Sequence, residues 1–134
     1  MKAGDVSSKA MTDRIPLVII VITVLGAAAL TFFAVAAFLD PARLLAVGSE
    51  LTDGVRTFAE HMAVRNVAIV LLMGVALVRE ERRVLAFLLG LLGVVQALDA
   101  VLGARAGQLV QTVVPALLAL VFLAAASYLL RNRS

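Results

Sequence analysis

The sequence predicts an all-α integral membrane protein, a bundle of four transmembrane helices with both termini in the cytoplasm. Three observations lead to this prediction: an apolar composition, four long apolar segments, and an uneven distribution of Lys and Arg between them. Hydrophobic residues make up 63% and charged residues 16% of the 134-residue chain, and the mean hydropathy is +1.06. Soluble domains contain about 45–50% apolar and about 25% charged residues. A chain this short cannot bury such an excess, because its surface is large relative to its volume.

The composition also excludes several classes of function. The chain contains no cysteine and one histidine, His61. Thiol catalysis is therefore excluded, and two histidine ligands cannot meet within one chain. We expect neither a metal nor a cofactor. The net charge of +3 comes from basic residues that lie between apolar segments, where membrane topology explains them, so no nucleic-acid partner is expected.

The whole chain, residues 1–134, is predicted to form one membrane domain. Its first apolar segment has no charged side chain and is long enough to cross a hydrocarbon core of about 30 Å. The second uncharged run is short, so its helix must extend backwards past Arg65, His61 and Glu60 to span the membrane. The predicted helices cover residues 15–39, 57–78, 84–102 and 108–130.

The segment after the first predicted helix favours a short interfacial helix at about residues 41–47. Asp40 is the expected N-cap, Pro41 suits the first helical position, and Gly48 ends the element. Thr52 or Asp53 is then expected to cap the second transmembrane helix.

Lys and Arg residues predict the orientation. Three basic residues lie in the first and third loops between the predicted helices. Eight lie in the N-terminal arm, the second loop and the C-terminal tail: Lys2, Lys9, Arg14, Arg79, Arg82, Arg83, Arg131 and Arg133. Basic residues remain on the cytoplasmic side of a membrane. Both termini are therefore expected inside an inner (plasma) membrane, and dual topology is disfavoured.

Two opposite charges are expected within the membrane at similar depth. Arg65 lies about 21 Å from Arg79, and Asp99 about 24 Å from Arg83, at 1.5 Å per helical residue. Their helices are joined by a tight loop, which favours antiparallel neighbours. A lone charge near a helix centre costs about 2.5–3.5 kcal/mol. We therefore expect an Arg65–Asp99 salt bridge.

Further polar side chains accompany this pair in the outer part of the bilayer. His61 lies one turn above Arg65, Asn66 is rotated by about 100° from it, and Gln96 lies one turn below Asp99. The fourth helix begins with Gln108, Gln111 and Thr112. The pattern predicts a polar pocket reached from the outer leaflet. The expected ligand-binding residues are His61, Arg65, Asn66, Gln96, Asp99 and Gln111, and Asp99 and Arg65 are the candidate catalytic residues.

Two functions remain open at this point. In the first, the pocket binds a lipophilic small molecule, with acid–base chemistry such as isomerisation or epoxide opening if the protein is an enzyme. In the second, the chain is an accessory subunit of a membrane complex, and Arg65 with Asp99 is a structural pair used in assembly. The expected partners are the lipid bilayer, a lipophilic molecule, and a second copy or another membrane protein.

The motifs Val64-Arg65-Asn66 and Leu98-Asp99-Ala100, with Gly103, resemble those of small four-helix membrane proteins of unknown function that neighbour the DoxX-like family. That pattern is Arg-Asn or Arg-Asp early in helix two, a short basic turn, and an Asp late in helix three. The resemblance covers roughly residues 15–130. It implies a four-helix bundle with a polar outer-leaflet centre at Arg65, Asn66 and Asp99, and it implies no particular reaction.

Overall fold

A computed structural model describes residues 14–45 and 48–131, and all regular structure in this part of the chain is helical. Helix α1 covers Leu17–Leu39, and a single 3-10 turn follows at Pro41–Leu44. Helix α2 covers Asp53–Val78, α3 covers Arg82–Arg105, and α4 covers Leu109–Arg131. All four α-helices are long and apolar enough to cross a membrane, with mean hydropathies of 2.7, 1.9, 2.2 and 2.4 over their most apolar stretches. For these residues, the predicted all-α class is confirmed, and so is the prediction of four helices long and apolar enough to span a membrane.

The helix ends differ from the prediction where local hydrogen bonds extend a helix. Helix α2 begins at Asp53 rather than at residue 57, because the Thr52 hydroxyl accepts a hydrogen bond from the Val55 N–H at 3.3 Å and caps the helix. Helix α3 continues to Arg105, beyond the predicted end at residue 102. The predicted interfacial helix at 41–47 is a single turn that ends at Leu44, and its residues 46 and 47 lie outside the described part of the chain.

The chain divides into two compact units. The α1–α2 unit is Thr23–Val75, and the α3–α4 unit combines residues 14–22 with 76–131. In the α1–α2 unit, small side chains form the buried cluster: Ala34 and Ala37 from α1 pack with Ala63 and the partly buried Ala59 from α2. Alanine has no side-chain rotamers to lose on burial, so this packing costs little conformational entropy.

Within the α3–α4 unit, helices α3 and α4 form an antiparallel hairpin. Buried or half-buried residues recur every three or four positions along α4 and the residue before it, as a helix packed along its length requires: Gln108, Thr112, Pro115, Ala119, Phe122, Ala126 and Leu129. Ala116, Ala125 and Leu130 are buried or half-buried beside them. Glycines of α3 set the spacing between the two helices. A Cβ atom added at Gly93 would lie 2.6 Å from Cγ of Leu123, and one at Gly90 would lie 3.8 Å from Cβ of Ala126. The helices therefore approach more closely than larger side chains would permit.

Two related turns flank α3. After α3, the Gln108 N–H donates to the Gly103 carbonyl and the Gly107 N–H to the Ala104 carbonyl, with Gly107 at φ +68°. After α2, the Glu81 N–H donates to Ala76 and the Glu80 N–H to Leu77, with Glu80 at φ +53°. Both are Schellman motifs, which end a helix with one left-handed residue. The first motif has glycine at that position and the second has glutamate.

Candidate functional site

The predicted site residues of α2 lie on different faces of the helix. His61 and Arg65 are exposed and one turn apart. Asn66 is buried, with 7% of its surface accessible, and shares a buried stripe with Ala63 and Ile69. On a helical wheel, Asn66 is about 100° from Arg65 and about 140° from His61. The structure therefore brings His61 and Arg65 to one face and places Asn66 on another.

The His61 ring is anchored to its own helix. Its Nδ1 donates a hydrogen bond to the Thr57 carbonyl oxygen at 2.7 Å. A neutral ring that makes this bond carries its proton on Nδ1, so Nε2 remains the acceptor atom. Because the ring is exposed, this acceptor can meet a ligand on the same face as Arg65.

Asn66 is one of two polar side chains that are buried in the described residues; the other is Thr23, at 2% exposure. Both belong to the α1–α2 unit. Sequence reasoning singled out Asn66 but not Thr23, since one hydroxyl in a long apolar helix is a weak signal. An amide in an apolar helix interior favours hydrogen bonding to a neighbouring helix or to a ligand.

The two predicted residues of α3 differ in burial. Gln96 is half-buried, between the buried Gly93 and Ala100 of the same stripe. Asp99 is exposed, although it lies within about 40° of Gly103 and about 20° of Leu92 on the helical wheel, and both of those residues are buried. The Asp99 carboxylate is therefore an accessible acceptor within an otherwise well-packed stripe.

Gln111 contributes its main chain to the α3–α4 contact, while its side chain is exposed. A Cβ atom at Gly103 would collide with the Gln111 carbonyl oxygen and would lie 2.9 Å from the Thr112 nitrogen. Pro115 lies four residues after Gln111 and has no N–H, so this carbonyl lacks its usual helical donor. The close approach of Gly103 to this carbonyl favours a weak Cα–H···O contact.

A second acceptor in the same region was not singled out as a site residue. Oε1 of Gln108 is buried and has no hydrogen-bond partner within the described part of the chain. The Gln108 carbonyl, in contrast, accepts from both the N–H and the hydroxyl of Thr112, at 3.0 and 2.9 Å. The sequence signal for this region was the run of polar residues that begins α4.

Arg65 and Asp99 belong to different compact units, and both are exposed. Their salt bridge stays a prediction. Among the described residues, Arg43 Nε forms an ion pair with Asp40 at 2.8 Å, in the turn after α1. Asp40 therefore uses its carboxylate for Arg43 and makes no side-chain capping bond to the 3-10 turn for which it was the expected N-cap.

An apolar groove of about 450 Å³ runs along one face of the α3–α4 hairpin. Its lining includes Phe87, Gly90 and Leu91 of α3 and Leu123 and Ser127 of α4. None of the predicted site residues lines this groove. The small residues of α3 recur at Ala86, Gly90, Gly93 and Ala97. This spacing is typical of a close helix contact, but it does not indicate an open surface beside that contact.

Comparison of the chain with protein-family models, with curated proteins and with solved structures finds no match. The resemblance to the DoxX-like proteins and their neighbours therefore stays a prediction, based on the Arg65-Asn66 and Asp99 motifs. What is established for the described residues is the class: an all-helical chain with four helices that can cross a membrane.

Proposed function

We propose that this protein is a multi-pass membrane protein that binds a lipophilic small molecule through polar side chains in the outer half of its helices. The observation that carries the proposal is the exposure of Asp99 within α3, a helix otherwise uncharged from Val84 to Gly103. A carboxylate in a membrane-spanning segment is costly unless it has a partner or a function. An accessible one can receive the polar end of a ligand.

The proposed roles follow from what each side chain can donate or accept. Asp99 accepts a hydroxyl or amine hydrogen of the ligand and can take up a proton. Arg65 binds a carbonyl or anionic group with its planar fork of N–H donors. His61 Nε2 accepts, while Asn66, Gln96 and Gln111 supply amide donors and acceptors that orient the ligand. Acid–base catalysis by Asp99 and Arg65 is an extension of this binding function.

The proposed orientation places the termini and the α2–α3 turn in the cytoplasm, and the polar half in the outer leaflet of the inner (plasma) membrane. The supporting observation is the excess of eight basic residues over three. A ligand would then enter from the outer leaflet between membrane-spanning helices.

Ligand retention tests the proposal. The wild-type protein and the Asp99→Asn variant are purified in mild detergent, and native mass spectra and organic extracts are compared. We expect a retained small molecule on the wild type and at least a tenfold loss on Asp99→Asn, since the amide removes the anionic acceptor while preserving shape. Asp53→Asn, a matched change in the exposed first turn of α2, should retain the ligand. Equal retention by Asp99→Asn and wild type would overturn the proposal.

A second candidate function, an accessory subunit, is favoured by the exposure of Arg65 as well as Asp99. The two exposed side chains have opposite charges and similar predicted depths. A partner protein or a second copy would cover the surface that contains them. Each charge would then find its counter-ion at the interface.

Charge exchange separates the two functions. If Arg65 and Asp99 serve only assembly, each single reversal, Arg65→Asp or Asp99→Arg, should abolish the assembled state, and the double reversal should largely restore it. In a ligand site, the double variant should fold and yet retain no ligand, because the charges have changed places relative to the other polar groups. Chemical cross-linking in membranes and native mass spectra provide the two measurements.

A further inference from the structure

The apolar groove of the α3–α4 hairpin ends near exposed arginines. The groove extends along α3 from Val94 to Ala86, and Ser127 and Leu130 of α4 line it as well. Arg83 lies one helical turn before Phe87, and Arg131 lies one turn after Ser127. Because residues four apart lie on the same face of a helix, both arginines continue the groove face beyond its end.

Both guanidinium groups are available to a ligand. Arg83 and Arg131 are exposed, and neither forms an ion pair with a described residue of the α3–α4 unit. The adjoining turn also contains Arg79 and Arg82, together with the exposed carboxylates of Glu80 and Glu81. The arginines outnumber the carboxylates at this end of the hairpin, so its field favours an anion. The groove itself has one polar lining residue, Ser127.

We infer that the groove is a binding site for an anionic phospholipid of the bilayer. One acyl chain lies against Gly90, Leu91 and Leu123, where glycine and alanine leave room that larger side chains would fill. The phosphate lies at Arg83 and Arg131, where guanidinium groups bind phosphate oxygens by charge-assisted hydrogen bonds. This site is at the opposite end of α3 from Asp99 and does not depend on the proposed ligand site.

Charge complementarity selects this occupant over a second copy of the chain. A second copy would bring the same arginines to the same membrane depth if it packed in parallel through this face, and like charges would face one another. An anionic headgroup neutralises them instead. Each Lys or Arg at such a surface strengthens the binding of anionic lipid by about fivefold.

Native mass spectrometry with defined lipids tests the inference. Purified full-length protein is delipidated and incubated with dioleoyl phosphatidylglycerol or dioleoyl phosphatidylcholine, which have identical chains. Ser127→Phe obstructs the groove from an exposed position, and Ala124→Phe is the matched control on an exposed α4 position outside it. Arg83→Gln with Arg131→Gln removes the phosphate ligands. Arg56→Gln with Arg105→Gln is the charge-matched control: neither residue lines the groove, Arg56 lies in the first turn of α2, and Arg105 is the last residue of α3.

We expect one phosphatidylglycerol molecule to remain bound to the wild type at collision energies that remove phosphatidylcholine. The Arg83/Arg131 double variant should lose about 25-fold in phosphatidylglycerol affinity, from two arginines at about fivefold each. Ser127→Phe should lose the retained lipid, whereas both controls should keep it. Circular dichroism checks that each variant is helical.

Three results would overturn the inference. Equal retention of the two lipids would remove the role of the phosphate. Retention by Ser127→Phe equal to that by Ala124→Phe would exclude the groove. A dimer in the wild-type spectrum that Ser127→Phe converts to monomer, without any retained lipid, would assign the groove to a second copy of the chain.

Discussion

Among the glycines of α3, Gly103 is the one whose added Cβ would come nearest to α4, and it limits how the end of the hairpin near Gln111 can pack. The Gln111 carbonyl lies where a Cβ atom of residue 103 would be. This carbonyl belongs to the backbone and cannot move aside as the end of a side chain can. Gly93 is less restrictive, since its closest neighbours are side-chain atoms of Leu123. Gly74 in α2 has nothing within 4 Å of an added Cβ. The three glycines therefore differ in how well their positions can accept a larger side chain.

This order predicts a graded stability series. Gly103→Ala should lower the free energy of unfolding by about 1–3 kcal/mol, because overpacking against backbone forces the helices apart. Gly93→Ala should lose less, because Leu123 can change its rotamer. Gly74→Ala should be neutral or stabilising, as alanine favours the helix over glycine by about 1 kcal/mol. Titration with SDS followed by circular dichroism measures all three. A Gly103→Ala variant as stable as Gly74→Ala would contradict the series.

At the scale of elements, the two Schellman turns show the same geometry with different residues. Gly107 adopts its positive φ without strain, whereas Glu80 has a Cβ atom that disfavours φ +53°. The turn at Glu80 nevertheless forms the same two types of backbone hydrogen bond as the turn at Gly107. The glutamate therefore stores strain that glycine would relieve.

We predict opposite effects for opposite substitutions. Glu80→Gly should stabilise the protein by up to about 1 kcal/mol, and Gly107→Ala should destabilise it by about 1 kcal/mol. Glu81→Gly is the control, because Glu81 has φ −77° and gains nothing from glycine. Thermal unfolding in detergent, followed by circular dichroism, compares the three variants. A gain for Glu81→Gly equal to that for Glu80→Gly would assign the effect to the lost carboxylate rather than to backbone strain.

For the whole molecule, the distribution of arginines and lysines predicts which loops face the cytoplasm. The chain has no cysteine, so a single introduced thiol reports on one position without background. Ser49 lies in the exposed segment between α1 and α2, and Glu81 lies in the exposed turn between α2 and α3.

We expect a membrane-impermeant maleimide to label Ser49→Cys in intact spheroplasts. Glu81→Cys should be labelled only after the membrane is permeabilised. The reverse pattern would place the termini outside. Labelling of both positions in intact spheroplasts would show dual topology, against which the charge bias argues.

The sequence by itself determined the all-helical class of the molecule, the number of helices that can span a membrane, and the short turn between α2 and α3. These are local properties, since a run of apolar residues must be long enough to cross a bilayer wherever its neighbours lie. The sequence also narrowed the cap of α2 to Thr52 or Asp53, because a capping residue acts within one turn, and the structure shows that it is Thr52.

Tertiary structure decided which face of each helix is covered. It buried Asn66 while leaving Arg65 exposed, and it exposed Asp99 beside the buried Gly103. It also formed the groove beside α3 and α4 and placed Gly103 against the Gln111 carbonyl. These features depend on the rotation and separation of two helices, which are set together by side chains far apart in the sequence. A pattern along one helix cannot specify them, because the contact surface belongs to both helices at once.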